Sequence, residues 1–148
     1  MVDGREQLDR DAIKAVVDAY AAGVDALDAA GVAALFAEAG VLAVPDPTGA
    51  ERWIEIEGPA AIESRLEGLR RYRATIHDVA NHRAEVQDAT ATAVTSCFAH
   101  HLEGEDGDVT DRTMAIRYYD WLERSDAGWR FVRRELHLLW TQRRAVEA

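Results

Sequence analysis

Four side chains in this 148-residue sequence stand where chemistry is possible. Ile13, Val16, Val17, Tyr20, Val24 and Leu27 recur at helical spacing and make one apolar stripe. Tyr20 lies on that stripe, and Asp25 follows near its end, just after Gly23. A phenol and a carboxylate beside a buried face must find partners or carry chemistry. On a straight helix Asp25 falls about 140° from Tyr20, at the edge of the stripe, and Asp28 points more nearly inward. Gly23 allows a bend there, and Asp28 is suited to capping a second helix.

His77 lies in a β-type run with Thr75, Val79 and Asn81 on the same face. An imidazole is the usual base near neutral pH, and a carboxylate on its other nitrogen fixes the tautomer and supports the imidazolium. Arg134 interrupts an apolar row formed by Val132, Leu136, Leu138 and Trp140. A buried guanidinium requires an anionic or carbonyl partner, either a structural carboxylate or a group on a ligand. Asn81, Phe98 and Tyr118 are further candidates for lining a pocket. The five histidines do not group for a metal: His100 and His101 point to opposite faces of a strand, His77 and His82 differ in parity, and no Cys pair or HExxH spacing occurs. Neither a phosphate-binding loop nor a nucleophile elbow is present, so no metal and no cofactor is expected.

The elements that position these residues follow in order. A long helix with Asp9 or Asp11 near its start, a bend, and a short helix capped by Asp28 and stopped by Gly40 lead to a strand at Val41–Val44. Pro45-Asp46-Pro47-Thr48-Gly49 is a turn, and Arg52–Glu57 alternates as the second strand of a hairpin. Gly58-Pro59 opens a third helix, whose apolar face is Ile62, Leu66 and Leu69. Four long β runs follow, Thr75–Gln87, Thr92–Glu103, Thr113–Arg124 and Trp129–Thr141, separated by hairpin turn chemistry. The order is α+β in a single domain spanning 1–148.

Composition excludes several function classes. A net charge of −10, from 27 Asp and Glu against 17 Lys and Arg, disfavours nucleic acid and anionic membrane surfaces. The single cysteine, Cys97, cannot form an internal disulfide, MVDGREQLDR is no signal peptide, and no apolar run is long enough to span a membrane. A cytoplasmic protein is expected.

The stretches DAIKAVVDAYAAGVDALDAAGVAALF (11–36), GPAAI (58–62), TIHDVAN (75–81), YYDWLER (118–124) and GWRFVRR (128–134) resemble, in this order, the SnoaL-like group of the superfamily that includes nuclear transport factor two and ketosteroid isomerase. The resemblance implies a cone-shaped α+β barrel, three N-terminal helices packed in a strongly curved mixed or antiparallel sheet. Within the group, the chain looks similar to hexachlorocyclohexane dehydrochlorinases and to scytalone and bile-acid dehydratases. That similarity implies a catalytic pair of Asp25 and His77, a dehydratase-type addition at Tyr20, and an active-site position for Arg134. The chain lacks the polar residue that the dehydrochlorinase type carries at the Tyr20 position.

The expected activity is a cofactor-independent lyase that removes a proton from a small, apolar, cyclic or polyketide-like substrate. Ketosteroid-type isomerisation, with Asp46 as base, polyketide cyclisation, and a non-catalytic binding or assembly module are the alternatives. A homo-oligomer is expected, because apolar residues such as Phe131 and Trp129 against Val132 and Leu136 fall on both faces of the last strand; the resemblance implies a trimer ahead of a dimer.

Overall fold

The structure, a computed structural model, describes residues 4–49 and 52–148. Met1 to Asp3, the start of the N-terminal segment read above, and residues 50 and 51 lie outside the described residues. Helix α1 (Gly4–Asp25) buries Ile13, Val17, Tyr20, Ala21 and Val24, the stripe expected from the spacing. Leu27, at φ 56°, turns the chain. Asp28 then caps α2 (Ala29–Ala33), its Oδ1 accepting the Gly31 amide at 2.9 Å. Gly23 lies inside the continuous helix α1. It allows close approach, because a Cβ there would meet Val32 Cγ2 at 2.6 Å.

Strand β1 (Phe36–Pro45) starts earlier than expected, so Phe36 belongs to the sheet and not to the second helix. It pairs with β2 (Trp53–Glu57), and α3 (Pro59–Glu67) and a short 3-10 turn at 68–71 follow. Strands β3 (Ala74–Gln87), β4 (Thr90–Glu105), β5 (Asp108–Ser125) and β6 (Gly128–Val146) form an antiparallel meander. The sheet order is β2-β1-β6-β5-β4-β3, with β1 parallel to β6, in one curved, unclosed six-stranded sheet. The helices cover its inner face, and α1 packs mainly on β3. Among the described residues, no helix is long and apolar enough to cross a membrane.

Three bulges change which side chains face inward. In β3, Val79 pairs with Cys97 but His82 pairs with Thr95, so one extra residue shifts the parity. Asn81 is therefore exposed, and His82 turns inward to reach Thr95 Oγ1 at 2.8 Å. In β6, Val132 is unpaired between Phe131 and Arg133, so Phe131 and Arg134 share the inner face with Leu136 while Val132 is exposed. A further shift between Leu138 and Trp140 sends Trp140 to the outer face, beside Phe98 at a ring distance of 6.0 Å. The unbroken face of Val132, Leu136, Leu138 and Trp140 expected around Arg134 does not exist, because strict alternation fails at each bulge.

Candidate active site

Asp25 is the last residue of α1. A carboxylate at a helix C-terminus faces the negative end of the helix dipole and is unfavourable there without other donors. Strand β3 supplies them. His77 Nδ1 lies 2.7 Å from Asp25 Oδ1, the His77 amide donates to Oδ2 at 2.8 Å, and Thr75 Oγ1 donates to Oδ1 at 2.9 Å. Burial pushes the Asp25 pKa up, but the hydrogen bonds from His77 and Thr75 outweigh it and hold the carboxyl below its ordinary range. The His77 side chain is only 7% exposed. With Nδ1 committed to Asp25, its Nε2 has no hydrogen bond to a described residue and is the nitrogen available to a ligand.

Beside this pair stands His101, which the sequence reading did not select. Direct pairing of Thr75 with His101 and of His77 with Ala99 puts both imidazoles on the inner face, their rings 5.5 Å apart and 81° inclined. The Tyr72 ring packs on His101 at 4.7 Å. His101 is 4% exposed, its Nδ1 has no partner among the described residues, and burial, with the charges of His77, Arg112 and Arg71, pushes its pKa down to about 4. It is a neutral imidazole at physiological pH. Its trace in the sequence is the inward series Ala91, Ala93, Thr95, Cys97, Ala99 of β4, small residues ended by a histidine.

Arg134 belongs to a second cluster. It is fully buried, and its Nε and Nη2 donate to Asp120 Oδ1 and Oδ2 at 2.8 and 3.1 Å. Its guanidinium carbon lies 4.2 Å from the Tyr20 ring centre and 3.9 Å from that of Tyr118. Burial alone would drive Arg134 toward neutrality, but Asp120 keeps it charged. Of the two partners considered for this guanidinium, the structural carboxylate is the one present. Tyr20 and Tyr118 are buried, and desolvation raises both phenol pKa values. Between the clusters, the buried Cys97 thiol interacts with Tyr118 and feels the Asp25 charge; burial pushes its pKa up to about 11.

The structure thus brings Asp25, His77 and Thr75 together and groups Tyr20, Tyr118 and Arg134 around Asp120. It does not bring Asn81 or Phe98 to either cluster, since both lie on the outer side of their strands. Asp46 is not a free base either. Its oxygens accept from Thr48 N, Thr48 Oγ1 and Arg52 Nε within the turn, which lowers its pKa. Three surface cavities, of about 640, 530 and 450 Å³, open at other places and are not lined by Asp25 or His77. The deep pocket expected around the pair is not among them. Among the described residues, no group of three or more His, Cys, Asp or Glu is placed to hold a metal.

The profile of one family, described as "SnoaL-like domain", matches residues 5–135. No curated protein matches the sequence. Among solved structures, a provisionally named scytalone dehydratase from Novosphingobium aromaticivorans DSM 12444 is 25% identical, with a TM-score of 0.76 over 93% of this chain and 88% of that one. An NTF2-like protein with a cystatin-like fold, from Novosphingobium aromaticivorans, is 27% identical, with a TM-score of 0.68 over 94% and 92%. The type 3 hexachlorocyclohexane dehydrochlorinase LinA of Novosphingobium barchaimii LL02 shares the fold at 18% identity, with a TM-score of 0.74 over 96% and 97%.

Proposed function

We propose, for a chain that belongs to the SnoaL-like domain family, that it is a cofactor-independent lyase of the dehydratase or dehydrohalogenase type. The observation that carries this reading is the Asp25–His77 contact at 2.7 Å, which leaves Nε2 of a largely buried imidazole free. In the reaction Nε2 takes a proton from a carbon next to a carbonyl or ring. The C–H electron pair becomes the new double bond, and the leaving group departs as halide, or as water that takes back the proton held by the His77 imidazolium. Asp25 fixes the His77 tautomer and stabilises the imidazolium. In this reading the neutral His101, one strand away, donates a hydrogen bond to the departing or developing negative oxygen.

The substrate class is a small, largely apolar ring compound, in keeping with the apolar side chains next to the pair, Ala99 and Met114 in the same cross-strand row. Isomerisation through Asp46 is disfavoured by the hydrogen bonds that occupy its carboxylate. The protein works as a cytoplasmic homo-oligomer, a trimer ahead of a dimer. The support is the outer sheet face, where Phe98, Trp121, Leu139 and Trp140 are each more than a third exposed. The activity is tested with a panel of hydroxylated cyclic ketones, steroids and haloalkanes scored for loss of water or halide. Turnover that survives His77→Ala overturns it.

A further inference from the structure

One cross-strand row on the inner face holds an arginine that no carboxylate among the described residues answers. Thr75, His101, Arg112 and Arg143 are direct neighbours on β3, β4, β5 and β6, so they share a face. Like charges placed opposite one another on adjacent strands repel. Arg143 is answered by an ion pair with Glu103. Arg73, at the entry to β3, is answered by Asp106. Arg112 is half-buried, yet it makes no hydrogen bond or ion pair to any described residue. A chain with 27 acidic residues does not lack carboxylates to place there.

The row adjoins the site. Arg112 is the direct partner of His101, whose ring contacts that of His77. With strands about 4.8 Å apart, the β5 backbone lies about 10 Å from that of β3, the span of a one- or two-ring scaffold between the two side chains. Met114, two residues along β5 on the same face, and Tyr72, packed on His101, offer apolar contact to such rings.

We propose that Arg112 binds an anionic oxygen of the substrate, a carboxylate or phenolate, and so selects acidic ring compounds over neutral ones. This rests on the reading that the Asp25–His77 pair faces the substrate. A guanidinium suits the task because its planar fork can meet two oxygens at once and stays charged at every working pH. The row also explains why the residue goes unpaired: a resident carboxylate would compete with the ligand for it.

The test separates the anchor from the chemistry by measuring binding alone. Naphthalene-2-carboxylate and its methyl ester, alike in rings and different in charge, are titrated calorimetrically into the wild-type protein, Arg112→Gln, Arg112→Lys and His77→Ala. The acid should bind at least about tenfold more tightly than the ester to the wild type, the scale of a charge-assisted hydrogen bond. That preference should vanish in Arg112→Gln, return in part in Arg112→Lys, and persist in His77→Ala. Thermal unfolding without ligand should show Arg112→Gln at least as stable as the wild type, since like-charge repulsion is relieved. Equal affinity for the two probes, no binding of either, or a preference that survives Arg112→Gln overturns the proposal. Failure of the lyase reading would register separately, as turnover unaffected by His77→Ala with the probe preference intact.

Discussion

Asp25 holds His77 at two points, one oxygen on the ring Nδ1 at 2.7 Å and the other on the backbone amide at 2.8 Å. The imidazole is therefore fixed in tautomer and in position along β3 by one carboxylate. His77→Ala should lower turnover by on the order of 10²–10⁴ with little loss of folding. Asp25→Asn should cost nearly as much, because the charge is lost and the wrong tautomer is favoured. The double variant should be no worse than the poorer single one, since both residues serve one proton transfer. Losses that multiply in steady-state kinetics would separate their roles.

Asp46 provides the contrast. Its carboxylate is occupied by Thr48 and Arg52 within the turn. Asp46→Asn should leave turnover unchanged and lower stability only slightly, through the weakened turn hydrogen bonds. Loss of activity in the folded variant would restore the isomerase reading.

The Arg134–Asp120 pair should show itself in stability. Arg134→Met leaves Asp120, 1% exposed, without its counter-charge, and should cost about 3–5 kcal/mol in denaturant unfolding. Replacing both, as Arg134→Met with Asp120→Leu, should recover most of that loss, because the buried charge is gone. A double variant as unstable as the single one would mean that stacking of the guanidinium between Tyr20 and Tyr118 carries the effect.

Stability should fall with acid in two stages. His101 has its pKa lowered from 6.5 to about 4 by burial and neighbouring charge. The unfolded chain therefore binds a proton there that the folded one refuses, and stability is lost as pH falls from 6.5 toward 4, at about 1 kcal/mol per pH unit. His82, also lowered chiefly by burial, acts in the same direction. Asp25 is depressed below its ordinary 3.8, so its contribution is full above that pH and disappears only as pH falls through the folded value. Urea midpoints measured at half-unit steps should show a shallower upper stage in His101→Gln and an unchanged one in Asp46→Asn.

Assembly is checked by light scattering at micromolar concentration, where a species larger than one chain is expected. Trp140→Glu, on the exposed outer face beside Phe98, should shift the population toward monomer. A wild-type monomer would remove the proposed oligomer.

Local chemistry and periodicity determined much of this protein. The apolar stripe of α1, the Asp28 cap, the proline turn and the turn-separated β runs are all properties of near neighbours, so they were legible along the chain. The order of elements then fixed the α+β class, and the GVD and TIH stretches picked out Asp25 and His77 through their resemblance to a family. Tertiary structure decided the rest, because register depends on partners far away in sequence. One bulge in β3 turned Asn81 out and His82 in, and two in β6 separated Arg134 from Val132 and Trp140. Only pairing across strands set His101 beside His77 and gave Arg134 to Asp120. The reason is geometric: side chains alternate with a period of two, so a single inserted residue reverses every face beyond it, and no local pattern records where that occurs.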